Sequence, residues 1–495
     1  MNISPSAKKS VRSKEQDFKD LNQNEIKRKL TSSECIDDEK IDSKKKIKSN
    51  LIDDEILDEC HGFFLTKIKS NKNERWRNVI SLDEIFDERN GTIVESIHFS
   101  YLYDIEWLIE QYPSVFRNNP IYIVYGRGSQ DDEFEVQAQT HKQIILCPIK
   151  LPDLFGTHHT KMIILHYKIG LRIIILTANL IENDWAFKTQ GVWISPILKF
   201  NNQANDSITN FKSDIIQYLS FYRNPKINYW IEKLKKCDCS KINVYLIGSV
   251  PGRHKGDDRS LYGHLKLRKI LKTSPYGPKK ETVDWNVVAQ FSSIGSLGPK
   301  PDKWLTSQFL CSLSTVNSDE ISFLKPNLQC IYPSVENVRL SLEGYYAGTS
   351  LMYQKSTANK QSYLNDYFFQ WKAKRSNRNE ASPHIKSYCR YSNDLKSISW
   401  FCLTSANLSK SAWGELQVKG SQLFIRSYEL GVLFLPELIV KKSAFTISND
   451  DDKSTFPLPF DLPLTPYGPN DTPWTMDINY LDREDSHGRV WDIYN

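Results

Sequence analysis

The sequence predicts an α/β or α+β chain built as two similar halves, and three observations carry that expectation. At 495 residues the chain has room for two or three domains, or for one large pseudo-symmetric one. Segments with strand patterning alternate with segments of helical patterning. One constellation of His, Lys and Asn occurs twice, once in each half.

Taken in order, residues 1–50 hold 13 Lys+Arg and 9 Asp+Glu with few large apolar side chains. Such a stretch cannot bury enough surface to offset its ordering entropy, so residues 1–60 are expected to form a disordered polar and basic tail. Within it, Ser43-Lys44-Lys45-Lys46-Ile47-Lys48 is a basic cluster of the kind that nuclear import receptors or nucleic acids engage. Order is expected to begin near Gly62. Asp104 caps an amphipathic helix over residues 104–112, with Ile105, Leu108, Ile109 and Tyr112 on one face and Pro113 as its stop. Residues 121–124 and 143–146 read as strands, and residues 214–222 as a helix burying Ile215, Tyr218, Leu219 and Tyr222. The strand at 242–247 runs into a Gly/Pro-rich passage, 248–256, read as a crossover that places a domain boundary near 250. The expected domains are therefore 61–250 and 251–495. Residues 449–453 read as an exposed loop and 456–469 as irregular chain over a surface.

Composition sets broad limits. A net charge of +6 permits a polyanionic partner without demanding one, and 40% hydrophobic with 12% aromatic residues supply a substantial core. Nine cysteines without a C-x-x-C pair read as reduced intracellular thiols, and Cys237 with Cys239 is given no role. The first residues contain no apolar signal region, and no window approaches the ~18 apolar residues of a membrane span. Secretion and membrane insertion are not expected.

The repeat carries the chemistry. Thr157-His158-His159-Thr160-Lys161 is followed by Leu176-Thr177-Ala178-Asn179-Leu180, and Pro383-His384-Ile385-Lys386 by Leu403-Thr404-Ser405-Ala406-Asn407-Leu408. Residues two apart in a strand share a face, so each His and its Lys point the same way. If 168–170 is a hairpin turn, 161 opposes 177 and Asn179 lies across from His159; a midpoint between Leu395 and Lys396 gives the same meeting for His384 and Asn407. Two ammonium groups and two carboxamides can hold a phosphate and meet charge developing in a transition state, with no metal or cofactor. One neutral His can attack phosphorus in line to form a phosphohistidine while the other, protonated, donates to the leaving oxygen and later activates water. Which histidine does which is open at this point. The lysines lower both His pKa values, so Gln190 and Glu429 are candidates to hold the rings by their other nitrogens. His98, His141, His158, His166, His254, His264 and His487 have no repeated partner and default to structural roles.

These residues resemble the phospholipase D superfamily, and within it the tyrosyl-DNA phosphodiesterase family. The phospholipase D pattern proper has Asp five residues after the Lys, where His166 and Tyr391 stand here. Further stretches fit in order: Lys188-Thr189-Gln190-Gly191, residues 290–298, residues 331–338, Ser405 to Lys410, Pro473-Trp474 and His487-Gly488. The resemblance covers roughly residues 95–491. It implies two phospholipase D-like α/β domains, each a mixed sheet flanked by helices, with the active site at their interface. It also implies His159 as nucleophile, His384 as general acid and then base, and Lys161, Asn179, Lys386 and Asn407 as phosphate ligands, with Gln190 and Glu429 supporting the rings. By the same similarity Phe155 stacks on a base, Ser293, Ser350 and Ser409 bond backbone phosphates, and Tyr101 is a pocket tyrosine. Met476 departs from the pattern, standing where relatives have a second tryptophan. The implied reaction frees a DNA 3′ end, in single-stranded, nicked or blunt DNA, from tyrosine or another blocking group such as a topoisomerase-derived peptide, and leaves a 3′-phosphate. A monomer without cofactor, acting in the nucleus with the cytoplasm as a second compartment, is expected. The competing expectations are a catalytically degenerate DNA-end-binding scaffold and a lipid phosphodiesterase, the latter disfavoured by the missing Asp.

Overall fold

Two mixed sheets built to one plan carry the fold. The computed structural model describes residues 61–69, 78–127, 132–201, 203–318, 326–447 and 455–494; the tail at 1–60 with its basic cluster, and the loop at 449–453, lie outside the described residues. The first sheet contains β1 (Gly62–Thr66), β2 (Val79–Ile80), β3 (Ile93–Phe99), β4 (Ile121–Gly126), β5 (Ile144–Ile149), β6 (Met162–Tyr167), β7 (Gly170–Leu176), β8 (Gly191–Ile194) and β9 (Leu198–Lys199). The second contains β10 (Tyr245–Ser249), β12 (Asn286–Gln290), β13 (Leu328–Ile331), β14 (Phe368–Phe369), β15 (Ser387–Tyr391), β16 (Ser397–Thr404), β19 (Glu429–Phe434) and β20 (Phe445–Thr446), while β11 (Gly252–Lys255), β17 (Glu415–Gln417) and β18 (Gln422–Ile425) form a small third sheet. The orders β1-β8-β7-β6-β3-β4-β5 and β10-β19-β16-β15-β12-β13-β14 correspond place for place. So do the pairings: four antiparallel ladders followed by two parallel ones in each sheet.

Local sequence explains the elements that frame the site. The expected helix at 104–112 is Ile105–Glu110; Asp104 Oδ1 accepts from Trp107 N at 3.2 Å, a cap worth about 1 kcal/mol. The helix expected at 214–222 runs Phe211–Ser220 and buries Ile215, Tyr218 and Leu219. The strand expected at 242–247 starts later, at Tyr245, and part of the passage read as a crossover is itself strand β11. One apolar core is shared by both sheets: Ile164, Ile173 and Trp193 of the first pack with Ile385, Leu403 and Leu430 of the second half. The opposite face of each sheet has a core of its own.

The hairpin register differs from the expected one by one residue in both copies. Tyr167 pairs with Gly170 and Met162 with Ile175, so the turn is Lys168-Ile169 and Lys161 O meets Leu176 N, not residue 177. Ser387 pairs with Leu403, and Lys386 O meets Thr404 N. Gly170 explains the difference in the first copy. It is not a turn residue; a Cβ there would stand 2.1 Å from Leu198 O, so glycine is needed for the close approach of β9. Continued, the ladders bring Ala178 opposite His159 and Ala406 opposite His384, and each Asn follows where its chain leaves the sheet.

Three histidines outside the repeated motifs' His-x-Lys pairs, His98, His158 and His264, are fully buried, and burial pushes each down to about 3. Their unfolded value is about 6.5, so between pH 6.5 and 3 the unfolded chain binds more protons than the folded one. Stability is therefore whole above 6.5 and is lost as pH falls, by about 1.4 kcal/mol per unit for each ring and about 6 kcal/mol for the three by pH 5. That is comparable to the whole stability of a domain. Melting temperature measured from pH 7.5 to 4.5 is expected to fall steeply below pH 6.5; a curve flat to pH 5 would contradict the neutral, buried state of these rings.

Candidate active site

The two His-x-Lys motifs stand at equivalent places, just ahead of β6 and β15. Two short parallel bridges join them to the other half of the molecule, His158 with Tyr428 and Thr189 with Pro383. The bridges mirror each other: His159 N donates to Tyr428 O and His384 N to Thr189 O, both at 3.0 Å. Tyr428 and Thr189 immediately precede Glu429 and Gln190, at the heads of β19 and β8. Continuing those ladders sets Gln190 beside Ala178 and Glu429 beside Ala406, so the two residues occupy the same position in their sheets.

Each therefore serves the imidazole of the other half. Glu429 Oε2 lies 2.9 Å from His159 Nδ1, and Gln190 Nε2 lies 2.8 Å from His384 Nδ1. The hydroxyls behind them correspond as well. Thr177 Oγ1 donates to Gln190 Oε1 at 2.8 Å and Ser405 Oγ to Glu429 Oε2 at 2.5 Å, while the same hydroxyls accept from Gly191 N and Leu430 N at 3.0 Å. Alternation sends the neighbouring side chains away: Thr160 Oγ1 meets Tyr218 OH at 2.5 Å and His158 Nε2 meets Tyr222 OH at 3.1 Å.

The phosphate-ligand candidates repeat the symmetry. Asn407 Oδ1 accepts from Ser292 N (3.1 Å) and Ser293 N (3.0 Å), and Asn179 Oδ1 from Ser100 Oγ (3.5 Å). Ser100 and Ser292 follow the equivalent strands β3 and β12. With their carbonyl ends engaged, both amides have NH₂ donors to offer an anion. Lys161 Nζ and Lys386 Nζ donate to His159 O (3.2 Å) and His384 O (2.6 Å). Burial pushes Lys161 down to about 8 against the attraction of Glu429 and Asp184; burial and then the Lys161 charge push Lys386 down. An anion between them reverses both effects.

Sequence reasoning missed Asp184. Its Oδ2 lies 3.2 Å from His384 Nδ1 and accepts from Asn179 N at 2.7 Å, and its Oδ1 lies 3.3 Å from Lys188 Nζ, which is also 3.3 Å from Glu343 Oε1. Burial works to raise its carboxyl pKa, but His384 and Lys188 outweigh burial and hold it ionised. The repeat could not reveal it, because the equivalent position in the second half is Ala412.

The rings differ electrically. Glu429 accepts from Nδ1–H of His159 and leaves a lone pair on Nε2, the tautomer a nucleophile needs. Burial lowers the His159 pKa, Glu429 opposes it, and Lys161 and Lys386 reinforce it. Gln190, its oxygen occupied by Thr177, donates to His384 Nδ1 and keeps the neutral ring protonated at Nε2. Burial and then Lys386 push His384 down to about 3, with Asp184 opposing. When this ring gains a second proton, at Nδ1, Asp184 Oδ2 is the carboxylate in reach to accept a hydrogen bond from it.

Of the remaining expected residues, Tyr101 lies with its ring 5.9 Å from that of His159. Ser293 Oγ donates to Met352 O at 3.1 Å, two residues beyond the partly exposed Ser350, and Ser409 caps the helix Lys410–Trp413 and packs against Gly295. Phe155 is half-exposed on the turn leading to His159, with the Arg426 guanidinium 5.6 Å from its ring. Trp474 is buried, donating to Gly348 O, and Met476 is partly exposed. Among the other histidines, His166 meets Glu95 at 2.9 Å, His264 meets Ser312 at 2.7 Å and His254 meets Val250 O at 2.9 Å.

The family model for tyrosyl-DNA phosphodiesterase matches residues 62–468, the stretch that contains both motifs and both supporting residues. The chain belongs to the tyrosyl-DNA phosphodiesterase family. It is 39% identical over 433 residues to tyrosyl-DNA phosphodiesterase 1 of Drosophila melanogaster, covering 84% of this chain and 74% of that protein. It is 36% identical over 465 residues to tyrosyl-DNA phosphodiesterase 1 of Arabidopsis thaliana, with the same two coverages. The crystal structure of the yeast tyrosyl-DNA phosphodiesterase shares the fold at a TM-score of 0.63 and 22% identity, over 84% of this chain and all of that one. Membership in this phosphodiesterase family fits a site of two imidazoles, two ammoniums and two amides. Among the described residues no group of three or more His, Cys, Asp or Glu is placed to hold a metal ion.

Proposed function

We propose that this chain, a phosphodiesterase of DNA repair by its family, hydrolyses the bond between a DNA 3′-phosphate and tyrosine or another 3′-blocking group, such as the peptide remnant of a type IB topoisomerase. His159 attacks the phosphorus through Nε2; its Nδ1–H bond to Glu429 stabilises the cationic ring of the phosphohistidine that forms. Lys161, Lys386, Asn179 and Asn407 hold the non-bridging oxygens and meet the added charge of the transition state. His384, protonated once the bound phosphate offsets the lysine charge, donates its Nε2 proton to the leaving tyrosyl oxygen while Asp184 balances the imidazolium. Left with its proton on Nδ1 toward Asp184, the neutral His384 then takes a proton from water at Nε2, and that water attacks the phosphohistidine and frees a 3′-phosphate. The observation that carries this reading is the unlike pair behind the rings: a carboxylate behind His159 and a carboxamide with a second-line carboxylate behind His384. Tyr101, Phe155, Ser293, Ser350 and Ser409 line the approach for DNA. Action in the nucleus as a monomer, with the halves divided near residue 250, completes the proposal; the basic cluster at 43–48 supports the nuclear assignment.

Single-turnover cleavage of a 3′-phosphotyrosyl oligonucleotide in excess EDTA, quenched into base to preserve phosphohistidine, tests it. Conversion to a 3′-phosphate through a base-stable adduct is expected. Binding without cleavage would assign the chain to the end-binding scaffold class, and cleavage only after a divalent metal is restored would overturn the mechanism.

A further inference from the structure

Behind His384, ionisable side chains stand in a row that crosses between the halves twice. His384 Nδ1 lies 3.2 Å from Asp184 Oδ2, Asp184 Oδ1 lies 3.3 Å from Lys188 Nζ, and Lys188 Nζ lies 3.3 Å from Glu343 Oε1. Asp184 stands on the helix Glu182–Ala186, with Lys188 just past its end, whereas Glu343 comes from the second half, where Arg489 Nη2 donates to its carbonyl at 2.9 Å. The side chains of Asp184, Lys188 and Glu343 are 1%, 4% and 3% exposed, so water and salt screen their charges little. An ammonium held between two carboxylates keeps its charge. With His384 neutral the row therefore carries a net negative charge, and a proton on the ring brings it to neutrality. The position behind His159 is built differently. Lys188 precedes Gln190 by two residues, and the residue that precedes Glu429 by two is Ser427, whose Oγ accepts from Thr157 N at 3.1 Å; Ala412 stands where Asp184 would. The row backs the ring that exchanges a proton and not the ring that attacks.

We propose that Lys188 and Glu343 are positioning residues for His384: acting through Asp184, they set how readily its ring takes up and releases a proton, Lys188 restraining Asp184 and Glu343 offsetting Lys188. The ring has two opposite tasks, donating to the leaving oxygen and then taking a proton from water, so its basicity has to lie between those that favour either task alone. Asp184 by itself would hold the imidazolium too firmly for the second task. Lys188 loosens that hold, and Glu343 keeps Lys188 from cancelling it. The remaining charges near the ring belong to the phosphate site: Lys386, two residues on, opposes a proton on the ring as Lys188 does, and Lys161 and Glu429 act on Lys386 in turn.

The inference rests on the phosphodiesterase reading, and its test separates the two. Single-turnover hydrolysis of the phosphohistidine adduct is followed from about pH 5 to about pH 9, where its rate rises as the ring becomes neutral. Lys188→Met leaves two carboxylates behind the ring and is expected to move that rise by about one unit to higher pH; Glu343→Gln leaves Lys188 unopposed and is expected to move it by about one unit to lower pH. The double variant is expected to bring the rise back to about the wild-type position, and Lys188→Arg, which keeps the charge, to leave it there. Should Lys188→Met not fold, Glu343→Gln against the double variant makes the same comparison. A role in folding alone would lower the melting temperature and the plateau rate without moving the rise. An unmoved rise in both single variants, or movement of both in one direction, would overturn the inference. The imidazole nitrogens of His384 are titrated by NMR in the same variants with inorganic phosphate present, a readout that needs no turnover. Opposite displacements there in a chain that cleaves nothing would sink the phosphodiesterase reading and leave the row standing; cleavage with undisplaced titrations would do the reverse.

Discussion

Replacing His384 with Ala is expected to convert the chain from a turnover enzyme into one that stays covalently attached to its DNA. The first step needs a proton for a tyrosyl leaving group that departs readily as a phenoxide, whereas the second needs a base to activate water, so the loss falls mainly on hydrolysis of the phosphohistidine. General base catalysis contributes about a hundred- to ten-thousand-fold, and the adduct should outlive the wild-type one by a factor of that order. His159→Ala, by contrast, should give neither product nor adduct, because the bond-forming nitrogen is gone. End-labelled oligonucleotide, quenched into base and resolved on a denaturing gel, reads both: a slow-migrating protein–DNA species for His384→Ala and none for His159→Ala. Equal, adduct-free loss in the two variants would contradict the division of labour.

The second large effect is expected from a change of a single atom. Glu429→Gln preserves shape, and a Gln oxygen in the place of Oε2 can still accept from both Ser405 Oγ and His159 Nδ1–H, so the change removes a charge and keeps the hydrogen bonds. The carboxylate that balanced the cationic ring of the phosphohistidine is then absent. Adduct formation is expected to slow by about a hundred- to a thousandfold, with little change in melting temperature. Nitrogen NMR of the imidazole reports the tautomer directly. An unmoved tautomer with a rate within a few-fold of wild type would remove the Glu429 charge from the mechanism.

What the sequence disclosed and what it hid follow from physical causes. The His, Lys and Asn positions were legible because they recur, and Gln190 and Glu429 because each follows its Asn. Their ring partners were not legible: the supporting groups cross from one half to the other, a relation that exists only once Tyr428 and Thr189 bridge the motifs. Asp184 was invisible to a search for repeats because Ala412 stands at its counterpart. The hairpin register slipped by one because Gly170 looks like a turn residue and is in fact a close-approach residue beneath Leu198. The small sheet of β11, β17 and β18 left no trace in the reading, since its strands are short and part of one lay in a stretch taken for a crossover.

The exchange of Glu429 and Gln190 between halves bears on why one polypeptide carries both. Two identical subunits that reached across a two-fold axis would be obliged to put the same residue behind both rings, and a change that improved the nucleophile would impose itself on the acid. Encoded in tandem, the two positions are free to differ. Covalent linkage is thus what permits a nearly symmetric scaffold to hold the asymmetric reaction proposed for it, in which one imidazole would be consumed as a bond partner and its twin would only lend and reclaim a proton.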